Sequence, residues 1–471
     1  MLFRMMYDEA LAAAAYLIGC QRTGQAIVID PERDVDRYIA AAAREGLQIT
    51  AVAETHIHAD FLSGARELAE RTGATVYVSD EGGEEWKYRW LDKKSGGGVY
   101  PHRLLKDGDT FRVGNIEFRV LHTPGHTPEH ICFLVTDRGG GADQPMGIVT
   151  GDFLFVGDLG RPDLLESAAG MAGQADVSAR RLYRTLAKLE GLPDWLQVWP
   201  AHGAGSACGK ALGAVPQSTL GYEKRFNPAL RAAGSEEAFT RFILEGQPEP
   251  PLYFARMKRD NKMGPPILGR LPQPARLTVA QMKDLDGRRC AIIDTRPWAE
   301  FRAGHLPGSL FHPVNNAFVT DAGSMVREGE PIYLIVESER LEEAVRLLVR
   351  IGLDDVRGYG TPGDLRAAAE AGAKMETTPE VGVEEARTML RSCVVLDVRR
   401  ATEYAEGHIE GALNIAHTRL LSRLEEVPRD KPILVHCRSG GRSARACALL
   451  QKHGFRATNL AGGFVAWQGK C

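Results

Sequence analysis

The stretch Ile49-Thr50-Ala51-Val52-Ala53-Glu54-Thr55-His56-Ile57-His58-Ala59-Asp60-Phe61 decides how the first half of this chain is read. Residues 49–53 are apolar or β-branched over a strand-like length. Just beyond them, two histidines and an aspartate stand at alternate positions, which gathers ligand-type groups around one point. Three later segments offer the same kind of residue. Thr123-Pro124-Gly125-His126-Thr127-Pro128-Glu129-His130 is a turn fixed by Gly and Pro. Thr150-Gly151-Asp152 ends the strand-like Gly147–Thr150. Pro200-Ala201-His202-Gly203 follows the apolar run Trp195–Trp199. Each candidate lies at the C-terminal end of an apolar run or on a turn, where open sheets bind ligands. Any one of these histidines could be an ordinary turn residue; four such segments in order argue against coincidence.

Around this stretch, residues 1 to about 245 alternate short apolar runs with helical patterns. Ile27–Asp30, Ala74–Val78, Ile116–Leu121 and Ile131–Val135 read as further strands. Val35–Glu45 and Ser63–Thr72 read as helices, with Asp34 or Asp36 capping the first and Ser63 the second. Ala14–Cys20 reads as the hairpin partner of the strand after Gly24. With Asp8 and Glu9 ahead of it, that segment is not a signal core, and a cytoplasmic location is expected. Proline density rises in Gln247-Pro-Glu-Pro-Pro251 and Leu271-Pro-Gln-Pro274, so a linker is expected at about 247–275.

The order of the four segments resembles the metallo-β-lactamase fold, over residues 1–250. The resemblance implies an αββα sandwich with a metal site at the sheet edge. Family members with two zincs carry a His directly after the Asp of the first motif; here that position is Phe61, which cannot ligate, so one metal is expected. Single-metal members with this motif style include the persulfide dioxygenases, whose two histidines and one carboxylate become His56, His126 and Asp152. Such a set is the facial triad of non-heme iron oxygenases, so Fe(II), one per chain, is expected, with zinc open as an alternative. His58, Asp60 and His202 become orienting groups or the remains of a second metal site. Gly160-Arg161-Pro162-Asp163 matches the family's Gly-Arg-x-Asp, which would set Arg161 against an anionic substrate. Glutathione-using relatives have a Tyr and an Arg at the positions of Ala204 and Ala229. Their absence points to another low-molecular-weight persulfide, such as one on coenzyme A or bacillithiol.

The C-terminal half repeats itself. Cys290-Ala-Ile-Ile-Asp294-Thr-Arg296 through Glu300, Gly304-His305 and Gly308 recurs as Cys393-Val-Val-Leu-Asp397-Val-Arg399 through Glu403, Gly407-His408 and Gly411, 103 positions later. A repeat of that length is a duplicated domain, here 276–373 and 377–471. In the second copy the strand-like Lys431–His436 runs into Cys437-Arg438-Ser439-Gly440-Gly441-Arg442-Ser443, followed by a helical stretch. A Cys at a strand-to-helix turn faces backbone N–H groups and a helix N-terminus, which favour a thiolate. The loop resembles the rhodanese signature, with Cys437 and Arg442 as catalytic residues and Arg438, Ser439, Gly440, Gly441 and Ser443 as the substrate cradle. Phosphatases of this architecture have five residues between Cys and Arg; here four intervene, which suits a sulfur atom rather than a phosphate. In the first copy the Cys position falls on Val336 or Ile335, depending on the alignment anchor, so that copy resembles an inactive rhodanese.

The fold class expected is therefore α/β multidomain, a metallo-β-lactamase sandwich followed by two rhodanese-like domains. The three together resemble the persulfide dioxygenase–sulfurtransferase fusions of sulfide detoxification. O2, a persulfide or thiol, and sulfite or thiosulfate are the expected small-molecule partners. A zinc thioester hydrolase of glyoxalase II type and a persulfide-binding sensor remain as rivals. Of eight cysteines none forms a CxxC pair; Cys208, on a Gly-rich loop with Lys210 nearby, is a candidate sulfur relay with a lowered pKa. Lys+Arg 58 against Asp+Glu 61 in 471 residues leaves no basic field for nucleic acid, and no apolar run is long enough to span a membrane. A homo-oligomer is an open expectation.

Overall fold

The computed structural model describes residues 1–167 and 173–469; Cys471 lies outside them. It divides into two compact units, Met1–Arg270 with Arg350–Gly352, and Leu271–Val349 with Leu353–Cys471.

In the first unit, two six-stranded sheets face each other. One contains, as successive neighbours, Leu2–Asp8, Ala13–Cys20, Gln25–Ile29, Gln48–Ala53, Thr75–Ser79 and His102–Leu105. The other runs Ser218–Thr219, Gln197–Pro200, Gly147–Gly151, Ile131–Asp137, Ile116–His122 and Thr110–Val113. Ala13–Cys20, expected from the hairpin reading, pairs antiparallel with Gln25–Ile29, Cys20 opposite Gln25 and Tyr16 opposite Ile29. Its alternation explains the layering. Tyr16 and Ile18 enter the core between the sheets with Phe118, Phe133 and Trp199. Ala15 and Leu17 enter the core under the outer helices Asp36–Arg44 and Ala65–Thr72. Helices Gln174–Thr185 and Glu236–Leu244 bury Leu182, Phe239 and Ile243 against Leu134 and Val198 on the far face of the second sheet. The result is the expected αββα sandwich.

Three local expectations need correction. Neither Asp34 nor Asp36 caps the first helix; its N-cap is Val35, without a side-chain cap. The second helix starts from Gly64, and the Ser63 hydroxyl accepts from the Ala65 N–H instead. The segment expected as a linker at 247–275 contains the helix Phe254–Met263, which belongs to the first unit up to Arg270. Proline marks where regular structure breaks, and the stretch between the Pro clusters is long enough for this ten-residue helix, which packs by Phe254 and Met257. Asn261 of this helix is buried, accepts from the Ser63 N–H (2.8 Å) and donates to the carbonyls of His58 (2.9 Å) and Phe61 (2.7 Å).

The second unit holds two five-stranded parallel sheets of one topology. The first is ordered Ala275–Arg276, Val356–Gly360, Ile332–Ile335, Ala291–Asp294, Leu310–Phe311. The second is ordered Glu380–Val381, Ala457–Leu460, Ile433–His436, Val394–Asp397, Leu413–Asn414. The duplication read from the sequence is thus a duplicated fold. The register also settles the position equivalent to Cys437. Asp294 pairs with Ile335 as Asp397 pairs with His436, so Val336 stands where Cys437 does, and Ile335 does not.

Replacing Asn261 with Leu would leave one buried N–H and two buried carbonyls of the 58–63 loop without partners. The first unit should lose about 2 kcal/mol or more of stability, read as an earlier urea transition of that unit.

Candidate functional site

The four ligand-bearing segments of the sequence meet at one end of the sandwich. The Gln48–Ala53 strand delivers His56, the turn after Ile116–His122 delivers His126, and Gly147–Gly151 and Gln197–Pro200 deliver Asp152 and His202. All four side chains are buried. His56, His126 and Asp152 each point one ligand atom into a common space, those atoms lying within 4.8 Å of one another.

The surroundings fix which imidazole nitrogen faces that space. Asp30 accepts both the Thr55 N–H (2.7 Å) and the Thr55 hydroxyl (2.8 Å). With its proton committed, the Thr55 oxygen accepts from His56 Nδ1 at 3.0 Å, leaving Nε2 as a lone-pair donor. His126 Nδ1 donates to the Arg161 carbonyl (2.9 Å) and His202 Nδ1 to the Ala12 carbonyl (2.9 Å). Burial holds His56 and His126 below the ordinary histidine pKa, in the neutral form that ligation needs. Beneath them, His130 Nε2 accepts the Asp152 N–H at 3.0 Å and its Nδ1 contacts Thr123. Gly160 lies so close that a Cβ there would fall 1.7 Å from the Asp152 carbonyl oxygen, which is why the Gly of Gly160-Arg161 is required.

Among the described residues, both Asp152 carboxylate oxygens, Asp60 Oδ2 and His202 Nε2 are buried without a hydrogen-bond partner. An ionised carboxylate left so in a protein interior is strongly unfavourable unless a cation joins it. The donor set therefore fits a divalent metal held by His56, His126 and Asp152.

The residues expected to be ancillary divide. Asp60 and His202 form a second ligand-type group with Cys208; His202 Nε2 is 3.3 Å from both Asp60 Oδ2 and Asp152 Oδ1. His58 turns away, its Nε2 3.2 Å from Asp30 and 3.4 Å from Glu54; burial alone would lower its pKa, and these carboxylates raise it instead to about 10. Phe61 stacks on the His58 ring at 4.4 Å.

Two expectations are corrected. Arg161 is fully buried and its guanidinium is occupied by Asp163 (2.9 and 2.6 Å) and the Ala207 carbonyl (3.0 Å). It builds the site through its carbonyl on His126 and does not present a charge to an anion. Cys208 is buried, and burial followed by the charges of Asp152 and Asp60 raises its pKa rather than lowering it; Lys210 is spent on the carbonyls of Phe242 and Glu245. Ala229 lies in the helix-side core with Leu134 and Phe239, and Ala204 is exposed on its loop. Asp30, Thr55, His130 and Asn261 were not singled out from the sequence. Asp30 ends a strand neighbouring that of His56, a signal available only once the strand pairing is known.

In the second unit, Ile433–His436 ends at Cys437 and the helix Gly441–Lys452 begins four residues later. The Gly440 N–H donates to Cys437 Sγ at 3.2 Å, and Ser443 Oγ lies 3.5 Å from the sulfur. Gly440 has φ 103°, left-handed backbone that aims its N–H inward. Burial alone would raise the Cys437 pKa; the Ser443 hydroxyl and N–H, with Arg442 and the Ser439 N–H, outweigh it and lower it. Arg442 forms a bidentate pair with Glu403 (2.6 and 2.7 Å). Arg438, Ser439 and Gly441 are exposed at the loop's mouth, whereas Gly440 and Ser443 are buried beside the sulfur.

The pattern of the metallo-beta-lactamase superfamily matches residues 9–202, and that of the rhodanese-like domain matches residues 382–470. A solved metallo-beta-lactamase from Staphylococcus aureus subsp. aureus COL is 40% identical, with a TM-score of 0.68 over 77% of this chain and 99% of that one. The chain belongs to the metallo-β-lactamase superfamily. This superfamily member is also similar to ETHE1 from Myxococcus xanthus, 32% identical over 56% of this chain and 99% of that one, TM-score 0.43. A hydroxyacylglutathione hydrolase of Polaromonas sp. is 35% identical over 190 residues, 40% of this chain and 60% of that protein. The chain spans about three fifths of the length of several curated relatives that it matches.

Substituting Asp152 with Ala removes the one carboxylate of the His56–His126 group. The purified variant should carry at least tenfold less metal by elemental analysis than wild type, since one ligand is worth about 1.4 kcal/mol or more. Undiminished metal in that variant would contradict the assignment.

Proposed function

We propose that this chain oxidises low-molecular-weight persulfides with O2 and transfers sulfane sulfur through Cys437. What carries the reading is the pairing, in one chain, of a buried two-histidine, one-carboxylate set with a rhodanese loop whose sulfur is stabilised as thiolate. A ferrous ion held by His56, His126 and Asp152 would bring a persulfide sulfur and O2 together and relay electrons from the sulfur to O2, with no net change at the iron. The overall change is persulfide, O2 and water to thiol, sulfite and two protons. Thr55 and Asp30 hold His56 in the ligating tautomer, and the Arg161 carbonyl does so for His126. At Cys437, a bound sulfane sulfur passes to sulfite: the Cys437 S–S bond breaks, an S–S bond to sulfite forms, and thiosulfate leaves as the thiolate returns to the Gly440 and Ser443 donors. The reverse direction uses the same groups.

A second reading is favoured by one observation, the Asp60, His202 and Cys208 group beside Asp152. Two zinc ions sharing Asp152 would suit thioester hydrolysis, the chemistry named by the Polaromonas relative. Iron-loaded protein consuming O2 with a persulfide supports the first reading; two zincs per chain with thioesterase turnover and no O2 uptake supports the second.

Two outcomes are expected. Cys437→Ser should abolish thiosulfate sulfurtransfer, leave O2 uptake intact, and shift the product from thiosulfate to sulfite in an ion-chromatography assay, because a hydroxyl cannot hold a sulfane sulfur. With Ala204 offering no polar contact, glutathione persulfide should show a kcat/KM about tenfold below that of the best carrier in a panel, the worth of one lost hydrogen bond. Parity with that carrier would count against the role given to Ala204.

A further inference from the structure

The first copy of the duplicated fold has Val336 in place of the thiol, yet it grips the helix that serves Cys437. Helix Gly441–Lys452 turns one stripe towards it. Ala444 and Ala448 pack with Phe301, Phe311 and Trp298 of the first copy. At the helix end, Lys452 Nζ donates to the Cys290 carbonyl (2.8 Å) and Glu330 (2.6 Å). Near its start, the buried Arg445 Nε is ion-paired with Asp321 of the first copy, while Arg445 Nη1 donates to the Gly441 carbonyl at 3.0 Å. Asp321 also faces His417 Nε2 at 3.3 Å.

We infer that the first copy acts as the positioning element of the sulfur loop, with Asp321 and Arg445 as positioning residues for Cys437. The guanidinium's planar fork meets two demands at once: one edge answers Asp321 and another holds the first-turn carbonyl of Gly441. That carbonyl belongs to the residue after Gly440, whose N–H points at Cys437 Sγ. Fixing Gly441 therefore fixes the donor that stabilises the thiolate and the direction of the helix N-terminus towards it. A first copy relieved of chemistry can fill its former sulfur position with Val336 and still supply the wall against which the second copy's loop is aligned. The proposal rests on the sulfur-transfer reading only for its biological purpose; the effect on the Cys437 thiol is measurable without turnover.

The test is the pH profile of Cys437 alkylation by iodoacetamide in the full chain, followed by mass spectrometry of the Cys437 peptide. Arg445→Met should raise the midpoint by about half a pH unit relative to wild type, and Asp321→Asn should move it in the same direction. Arg445→Lys keeps the charge facing Asp321 but lacks the fork that also reaches Gly441. It should show the same shift, and it serves where the Met variant does not fold. An unchanged midpoint in a folded Arg445 variant overturns the proposal and leaves the contact as ordinary packing. A shifted midpoint in a chain whose wild-type Cys437 takes up no sulfane sulfur would sink the sulfur-transfer reading while leaving the positioning role standing.

Discussion

A buried carboxylate with no donor is the constraint around which the first unit is built. Asp152 sits in the interior with both oxygens unanswered by any hydrogen bond among the described residues. Everything near it makes sense as provision for a cation in that place. The Asp30–Thr55 relay and the Arg161 carbonyl commit the Nδ1 protons of His56 and His126 outward, so that lone pairs face inward. His130 takes the Asp152 N–H and fixes the backbone from below. The αββα sandwich supplies the rigid frame, because strands from both sheets end at this one point. Without such a frame the converging groups would relax apart, since like lone pairs repel and no donor holds them.

The second unit solves the opposite electrostatic problem by similar means. There the group is a thiol whose anionic form is favoured, and the fold surrounds it with N–H groups and a helix N-terminus. Arg442, whose positive charge also helps, is locked by Glu403 rather than left mobile. In both units the candidate residue sits at the end of a strand, and at Cys437 the Ser443 hydroxyl leads the groups that favour the thiolate, with backbone N–H groups and Arg442 adding to it.

Much of this was legible in the sequence, and the failures have physical causes. His56, His126, Asp152 and Cys437 stand at strand ends or on stiff turns, which suggested that their segments converge; the choice of His56, His126 and Asp152 as a set came from the family resemblance. The duplication was legible because the Asp, Arg and Gly-His positions keep one offset. Arg161 was misjudged because a sequence shows a charge but not its partner, and Asp163 had claimed it. Cys208 was misjudged for the same reason, its neighbouring Lys210 being turned to carbonyls and its nearest charges being negative. The Phe254–Met263 helix was hidden by prolines on both sides, which report where hydrogen bonding stops but not what lies between. Between Ile335 and Val336, only strand register could choose.

The Asn261 contacts carry a consequence in time. The loop bearing His56, His58 and Asp60 is closed by hydrogen bonds to a residue about 200 positions later in the chain. Contacts between such distant residues form late, because a long loop must close first. As the chain emerges from the ribosome, the sandwich can assemble while that loop is still untied. Residues 58–63 can be tied down only once residue 261 has been made, after the last strand of the sandwich, Ser218–Thr219.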